Sequence, residues 1–206
     1  FFWPRPELPM VERGEGIHIW DTEGRRYIDA SSGPQTTALG HGNERVAQAV
    51  AAQMAKISFA FPSHFLSEPS ERLAAELAEQ APWDLDRVFF CSGGSEAVEA
   101  CIKLARQHAI ATGEGRRYKI ISRMPSYHGT TLGALSLTGD PAGFGPFAPM
   151  LVNQPKIPAP FCRYRPRGES EEAAALRFAE ALEAEIVEQG AETVLAFIME
   201  PVGGAA

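Results

Sequence analysis

A turn rich in glycine and serine, Cys91-Ser92-Gly93-Gly94-Ser95, lies between a short apolar run and a helical pattern. Two consecutive glycines let the backbone approach a ligand closely, and Ser95 adds a hydroxyl group at the start of the helix. The first N–H groups of a helix have no acceptor within it, so they favour an anion. Gly94 and Ser95 are therefore candidates for binding a phosphate group. An equally good alternative is that Ser95 is only the N-cap of the helix.

The turn differs from the common motifs that bind nucleotides or activate a serine. The sequence has no Gly-x-x-x-x-Gly-Lys-Ser/Thr loop and no Gly-x-Gly-x-x-Gly after a strand. It also lacks Gly-x-Ser-x-Gly, because Glu96 and Ala97 follow Ser95. These differences argue against nucleoside triphosphates and dinucleotides as ligands, and they weigh against a hydrolase that uses Ser95 as its nucleophile.

Two further groups of chemical interest follow predicted strands. Ser126-Tyr127-His128-Gly129 comes after one apolar run, and Glu200 comes after another. Tyr127 could stack on a planar ring with His128 beside it, although burial in ordinary packing is the more common role of a tyrosine. Glu200 is either a carboxylate of the site or a surface residue. Because open α/β sheets bind ligands at the carboxyl ends of parallel strands, one crevice could hold a phosphate, a ring and this carboxylate.

The elements that would position these groups alternate between strand and helix. Apolar runs at residues 88–91, 119–122 and 194–199 are predicted strands. The helix after the glycine turn has one face formed by Val98, Cys101, Ile102, Ala105 and Ala109. Continuous apolar strands between amphipathic helices are typical of a largely parallel sheet, so the predicted fold class is α/β. The proline-rich stretch at residues 139–166 is predicted to be one long irregular excursion.

The residues before this region predict a hairpin followed by two helices. Short strands separated by a polar turn are expected at Ile17–Trp20 and Arg26–Ile28. Asn43 is the candidate N-cap of a helix with the apolar face Val46, Val50, Met54 and Ile57. A second helix is predicted from about Ser70 to Pro82, with Leu73 and Leu77 buried.

The composition excludes several classes of protein. The chain has 206 residues, of which 45% are hydrophobic, as in a folded globular protein. The apolar run at residues 194–199 is far shorter than the about 20 residues of a membrane-spanning helix. Three cysteines, Cys91, Cys101 and Cys162, do not form a closed disulfide framework, and no Cys/His pattern suggests a metal site. We therefore predict reduced cysteines, no metal, no membrane and a cytoplasmic location.

The net charge gives information about partners. A formal charge of −7 argues against nucleic acid, because binding a phosphate backbone needs a basic surface. The charge is concentrated in residues 169–192, which contain eight glutamates and one arginine. Apolar residues recur there at helical spacing, namely Leu176, Ala179, Leu182 and Ile186. We therefore predict an amphipathic helix with a solvated acidic face in preference to an acidic interaction surface.

Together, these segments resemble the class III, omega-amino-acid type, pyridoxal-phosphate-dependent aminotransferases. SGGSEAVEACIKLAR at Ser92–Arg106 resembles the family's phosphate-binding helix, and SYHGTTLGALSLTG at Ser126–Gly139 resembles the segment with the ring-stacking aromatic residue. Met199–Gly204 resembles the "EPvgg" strand end. Gly16–Asp29 and Leu39–Gly42 resemble the opening hairpin and the "lGH" loop. Five segments in family order over most of the chain make the resemblance specific.

The resemblance implies the type I fold of pyridoxal-phosphate enzymes, with a large, mostly parallel α/β domain and a small domain. Residues 1–60 would contribute to the small domain, and residues 61–206 would form the first half of the large, cofactor-binding domain. Enzymes of this kind are usually homodimers with active sites at the interface, so a homodimer is expected. The resemblance also implies which residues bind pyridoxal 5′-phosphate. Gly94 and Ser95 would contact its phosphate, and Tyr127 would stack on its ring. His128 and Gly129 would lie beside the ring, and Glu200 would lie near its O3′ side.

The implied reaction moves an amino group from an amine or omega-amino acid to a 2-oxo acid. The family's Schiff-base lysine and pyridine-binding aspartate are expected after Ala206, since the four lysines and five aspartates present lie outside the matching motifs. Pro34 and Gln35 stand where many relatives have an aromatic residue of the substrate pocket, so the amino donor is not predicted. Racemases and aminomutases of the same fold, and a non-catalytic phosphate-binding module, are the alternatives.

Overall fold

The computed structural model describes residues 7–140, 145–161 and 165–203, without the side chains of residues 34 and 35. The chain forms two compact units, Phe1–Val88 and Phe89–Ala206. The predictions about the side chains of Pro34 and Gln35, about Cys162 and about Gly204 lie outside the described part of the chain.

The first unit begins with an antiparallel sheet of three strands in the order β1 (Val11–Glu15), β2 (His18–Asp21) and β3 (Arg26–Ile28). The pairing of β2 with β3 confirms the predicted hairpin. β1 was not predicted, because its sequence VERGE lacks the alternation of apolar and polar residues that indicates a strand. Asp21 closes the hairpin turn, since its buried carboxylate accepts hydrogen bonds from the Tyr27 hydroxyl at 2.7 Å and the Arg25 N–H at 2.9 Å.

The Leu39–Gly42 loop is attached to this sheet through His41. Its Nε2 lies 2.8 Å from Asp29 Oδ2, and its backbone exchanges two hydrogen bonds with Gly16. The hydrogen bond with His41 is the main reason why the pKa of Asp29 lies below its ordinary value. The "lGH" segment therefore has a structural contact with the opening hairpin.

Among its described residues, the first unit also contains three helices: α1 (Ser32–Gln35), α2 (Glu44–Lys56) and α3 (Glu68–Gln80). Asn43 caps α2 as predicted, because its side chain accepts a hydrogen bond from the Val46 N–H at 3.2 Å. The prediction that Leu73 and Leu77 are buried is wrong, since they are 47% and 43% exposed. The apolar spacing is present, but no element of the described first unit packs over it. The predicted apolar face of α2 is exposed for the same reason.

The second unit is α/β, as predicted. In chain order it contains α4 (Gly94–Ala111), β4 (Lys119–Met124), α5 (Leu132–Leu137), a 3-10 helix (Gly145–Met150), β5 (Lys156–Pro158), α6 (Glu171–Gln189) and β6 (Val194–Phe197). The strands form a parallel sheet in the order β5-β4-β6. The strands predicted at residues 119–122 and 194–199 are confirmed as β4 and β6.

Two predictions of secondary structure, at residues 88–91 and 139–166, are wrong. Residues 88–91 do not form a strand, because a strand is defined by pairing and these residues pair with none of the described ones. Residues 139–166 are not wholly irregular, since they contain the 3-10 helix and β5. β5 has the sequence KIP, which is too short and too polar for a periodicity to reveal, and its backbone pairs with the buried β4.

The core of the second unit lies between β4 and α5. Ile121 is fully buried, and Leu137 is 1% exposed. Lys156 connects these elements, since its Nζ donates hydrogen bonds to Ser122 Oγ at 2.9 Å and to the carbonyl groups of Ser136 at 2.9 Å and Leu137 at 3.3 Å. Burial lowers the pKa of Lys156 to about 8. The end of α5 is thereby attached to the sheet.

The surface helices only partly follow the predicted faces. α6 confirms the helix predicted in the acidic segment, but Leu176 is 58% exposed and Ala179 is also exposed, whereas Ala174 is buried. The less exposed face of α6 therefore begins at Ala174, on a different side of the helix from the predicted face. The observed and predicted faces share Leu182. On α4, Cys101 is exposed although it was placed on the packed face. None of the described helices has the length and apolarity to cross a bilayer, and no group of potential metal ligands occurs among the described residues.

Candidate functional site

The N-terminus of α4 is not capped by Ser95. The N-cap is Gly93, which has extended backbone and no side chain, and the first helical hydrogen bond runs from the Ala97 N–H to the Gly93 carbonyl at 3.0 Å. The N–H groups of Gly94, Ser95 and Glu96 therefore precede the helical hydrogen bonds. Of the two alternatives that the sequence left open, the N-cap role is wrong. At the N-terminus of this 18-residue helix, the turn presents amides with no acceptor among the described residues.

The Ser95 hydroxyl has a defined orientation. Its Oγ accepts a hydrogen bond from the backbone N–H of Thr130 at 3.0 Å. A hydroxyl group that accepts in this way can still donate its own hydrogen. Ser95 is therefore held as a donor at the start of α4, and Thr130 belongs to the loop that follows β4.

The loop at residues 126–131, which we call the β4 loop, also contacts the end of β6. The backbone N–H of Tyr127 donates to Glu200 Oε2 at 3.1 Å. The Glu200 carbonyl in turn accepts a hydrogen bond from the Arg123 guanidinium. Glu200 is half-buried and takes part in this contact, so the structure does not support the alternative of a simple surface residue. Three segments predicted to meet, at Ser95, Tyr127 and Glu200, are thus connected by hydrogen bonds through the β4 loop.

The interior side of the β4 loop is attached to the end of α5. Thr138 Oγ1 accepts the His128 N–H at 2.9 Å and lies 3.2 Å from the Gly129 carbonyl, to which it can donate. Ser126 and Gly139 exchange backbone hydrogen bonds at 3.1 and 2.9 Å. These contacts fix the backbone of the loop independently of its outward-facing groups.

The side chains of Tyr127 and His128 have opposite environments. Tyr127 is 48% exposed, so the alternative of ordinary burial does not describe it within this chain. His128 is 8% exposed, and its Nε2 has no hydrogen-bond partner among the described residues. Burial lowers the pKa of His128, an effect that the Glu200 charge partly opposes and the charges of Lys156 and Arg123 reinforce. His128 is therefore a buried ring with one polar atom that has no partner among the described residues.

The two glycines of the predicted site have different functions in the fold. Gly129 has a φ of +127°, and a Cβ there would lie 2.6 Å from Ser95 Oγ, so only glycine allows the β4 loop to approach α4 this closely. A Cβ at Gly94 would meet nothing within 4 Å. Open space before the free amides of α4 suits a bound anion, and the exposed Tyr127 ring suits a flat ligand. These residues therefore fit a phosphorylated aromatic group.

Three residues of the site were missed by the sequence analysis: Glu99, Thr130 and Thr138. Glu99 lies one turn beyond Ser95 on α4, and its Oε1 accepts hydrogen bonds from Thr131 Oγ1 at 2.7 Å and the Gly133 N–H at 3.0 Å. Thr130 contributes a backbone amide, which no residue type signals. Thr138 was hidden because α5, which it ends, has only six residues and shows no helical period.

The comparisons with known proteins agree with this fold. The sequence matches the family described as Aminotransferase class-III over residues 3–206. It is 38% identical to the uncharacterized aminotransferase YodT of Bacillus subtilis, with 98% of this chain and 46% of that protein covered. It is also 38% identical to the mitochondrial gamma-aminobutyrate transaminase 1 of Oryza sativa subsp. indica, with 95% and 39% covered. The crystal structure of the omega transaminase from Pseudomonas jessenii in complex with PMP matches with a TM-score of 0.91 and 39% identity, covering 96% and 44% of the two chains.

The fold and these neighbours define the class as the type I fold of pyridoxal-phosphate-dependent transaminases. Within that class, the chain belongs to the class-III aminotransferase family. It spans less than half the length of the relatives named above. Family membership implies pyridoxal phosphate as the cofactor, which confirms the sequence prediction, and nothing in the comparisons favours the alternative functions.

Proposed function

We propose that these residues form the first part of a pyridoxal-phosphate-dependent transaminase that moves an amino group from an amine or omega-amino acid to a 2-oxo acid. The observation that carries the proposal is the convergence of three segments on one loop: Ser95 of α4 binds the Thr130 amide, and Glu200 after β6 binds the Tyr127 amide. Family membership supports the same activity. When bound, pyridoxal phosphate supplies an electron sink for chemistry at the substrate's amino-bearing carbon.

Gly94 and Ser95 would hold the cofactor phosphate. The free amides at the start of α4 and the Ser95 hydroxyl provide several donors, and the helix dipole favours a negative charge there. Because the Thr130 amide already occupies an acceptor position of Ser95 Oγ, the hydroxyl hydrogen is available for a phosphate oxygen. The absence of a side chain at Gly94 keeps the approach to these amides open.

The β4 loop would hold the cofactor ring. Tyr127 presents an exposed aromatic face, and Gly129 lets the loop lie close to α4, so the ring-binding and phosphate-binding groups have a fixed spacing. The unsatisfied Nε2 of buried His128 provides a polar atom for a partner that the described residues do not supply. Glu200 orients the loop by accepting the Tyr127 amide.

We also propose where the missing catalytic residues lie, how the domains are divided, and the oligomeric state and location of the protein. We expect the Schiff-base lysine and the pyridine-binding aspartate in the part of the protein that corresponds to the uncovered half of the relatives. Residues 1–60 would contribute to a small domain and residues 61–206 to the large one. A homodimer is supported by the exposed apolar faces of α2 and α3, and a cytoplasmic location by the free thiols of Cys91 and Cys101.

The test is amino transfer by the complete protein. An aliphatic amine and an omega-amino acid, each paired with a 2-oxo acid, should give the amino acid product when pyridoxal phosphate is present and none after the cofactor has been removed by dialysis. Restoring the cofactor should restore the product. A complete protein that binds no pyridoxal phosphate, or that transfers no amino group from either donor class, would contradict the proposal.

A further inference from the structure

We propose that Glu99 is a positioning residue for cofactor binding, acting through the β4 loop without contacting the cofactor. Its carboxylate would hold the loop in the position in which Ser95, Thr130 and Tyr127 face the phosphate and the ring. The inference rests on the proposed function, because it assumes that these groups bind pyridoxal phosphate.

The geometry shows two adjacent turns of α4 attached to one short segment. Ser95 binds the Thr130 amide at 3.0 Å. One turn further along α4, a single oxygen of Glu99 accepts both the Thr131 hydroxyl at 2.7 Å and the Gly133 N–H at 3.0 Å. The segment is therefore held at Thr130 by Ser95 and, on the C-terminal side of Thr130, at Thr131 and Gly133 by Glu99.

The backbone of Gly133 lies close against the Glu99 carboxylate. A Cβ on Gly133 would lie 2.5 Å from Glu99 Oε1, so a side chain there would displace the carboxylate from its present position. Gly129 makes the equivalent approach to Ser95. The β4 loop and the start of α5 thus contact α4 at two glycines. Gly129 lies opposite Ser95, and Gly133 lies opposite Glu99. A side chain that cannot accept hydrogen bonds at position 99 would leave the second of these contacts without its partner.

The sign of the effect separates positioning from electrostatics. A carboxylate one turn from the proposed phosphate site repels an anion, so removing its charge would by itself strengthen cofactor binding. Loss of the loop's orientation would weaken binding instead. The carboxylate also satisfies an N–H group in the first turn of α5, where an acidic group is favourable. Glu99→Gln removes the charge but keeps an oxygen that can accept both hydrogen bonds.

The experiment measures the dissociation constant of pyridoxal phosphate for the complete protein by equilibrium dialysis. Glu99→Ala should weaken binding about tenfold, as expected when part of a charge-assisted hydrogen bond is transmitted to the ligand. Glu99→Gln should bind within about twofold of the wild-type protein, because both hydrogen bonds are retained. Thr131→Val, which removes one of them, should lie between the two. Glu183→Ala, an equal charge change on the exposed face of α6, is the matched control and should have no effect.

A second measurement does not depend on the cofactor. In the cofactor-free protein, hydrogen exchange at the amides of Thr130 and Gly133 should be faster in Glu99→Ala and unchanged in Glu99→Gln. In the double variant with Ser95→Ala, the two losses of affinity should be less than additive, because both act through the same loop. If Glu99→Ala does not fold, Thr131→Val gives the same comparison with a smaller change.

The outcomes distinguish this inference from the proposed function. If Ser95→Ala weakens cofactor binding while Glu99→Ala and Thr131→Val bind normally, the positioning role is wrong and the proposed site stands. If Ser95→Ala also binds normally, the proposed phosphate site itself is wrong. Tighter binding by both Glu99→Ala and Glu99→Gln would mean that the carboxylate acts only through its charge, which also overturns the inference.

Discussion

Ser95→Ala removes the hydroxyl group that we expect to donate a hydrogen bond to the cofactor phosphate. The lost interaction is one hydrogen bond to a charged group, worth about 1.5–3 kcal/mol. This corresponds to about 10- to 150-fold weaker binding of pyridoxal phosphate, since each 1.4 kcal/mol is a factor of about ten. The stability of the cofactor-free protein should change less. Ser95 is not the N-cap of α4, so the change removes only the contact with the exposed Thr130 amide, worth about 0.5–1.5 kcal/mol.

Equilibrium dialysis of the complete protein measures this loss, and thermal unfolding of the cofactor-free form measures the change in stability. Ser63→Ala is the control, because Ser63 is an exposed serine in the segment between α2 and α3. If Ser95→Ala has an unchanged affinity for pyridoxal phosphate and a lower melting temperature, Ser95 only holds Thr130 and does not bind the phosphate.

Three further predictions concern neighbouring residues. Gly94→Val should leave the melting temperature of the cofactor-free protein nearly unchanged, because a Cβ there meets nothing within 4 Å, yet it should abolish cofactor retention on gel filtration by filling the phosphate space. Tyr127→Phe should bind the cofactor as the wild-type protein does, whereas Tyr127→Ala should bind it several-fold more weakly, since stacking contributes about 0.5–1.5 kcal/mol. An equal loss of affinity in both variants would instead assign the role to the hydroxyl group. Because burial lowers the pKa of His128 in the folded protein, the unfolded chain binds a proton that the folded one does not. Stability measured by urea unfolding should therefore fall as the pH drops below about 6.5, and His128→Gln should reduce this slope; an unchanged slope would contradict the burial argument.

The sequence predicted two of the three strands of the parallel sheet, β4 and β6, but it did not predict which helix faces are buried. β4 and β6 are apolar runs of adequate length between helices, and α4 begins directly at a glycine turn, so local pattern and tertiary contacts agree. Residues 88–91 show the same apolar pattern, but pairing partners decide whether a strand forms, and local sequence does not contain them. The predicted burial of Leu73 and Leu77 was wrong for a similar reason. Apolar spacing shows which residues share a helix face, but it does not show which element packs against that face.

The residues that orient the site were the least predictable. Ser95, Tyr127 and Glu200 lie in recognisable segments. The proximity of Tyr127 and Glu200 follows from the pairing of β4 with β6, whereas Ser95 reaches the β4 loop through its contact with the Thr130 amide. Glu99 and Thr138 act through hydrogen bonds to backbone groups 34 and 10 residues distant in the chain. Such contacts depend on how the β4 loop lies on α4, which no local propensity encodes. Whether Ser95 was an N-cap could be decided only from the backbone of Gly93.

A crystal structure of the complete protein with pyridoxal phosphate would show directly whether α4 and the β4 loop bind the cofactor together. We expect phosphate oxygens within about 3 Å of Ser95 Oγ and the Gly94 N–H, with the Tyr127 ring against the cofactor ring. A phosphate group bound elsewhere, with Ser95 Oγ in contact only with the Thr130 amide, would contradict this expectation.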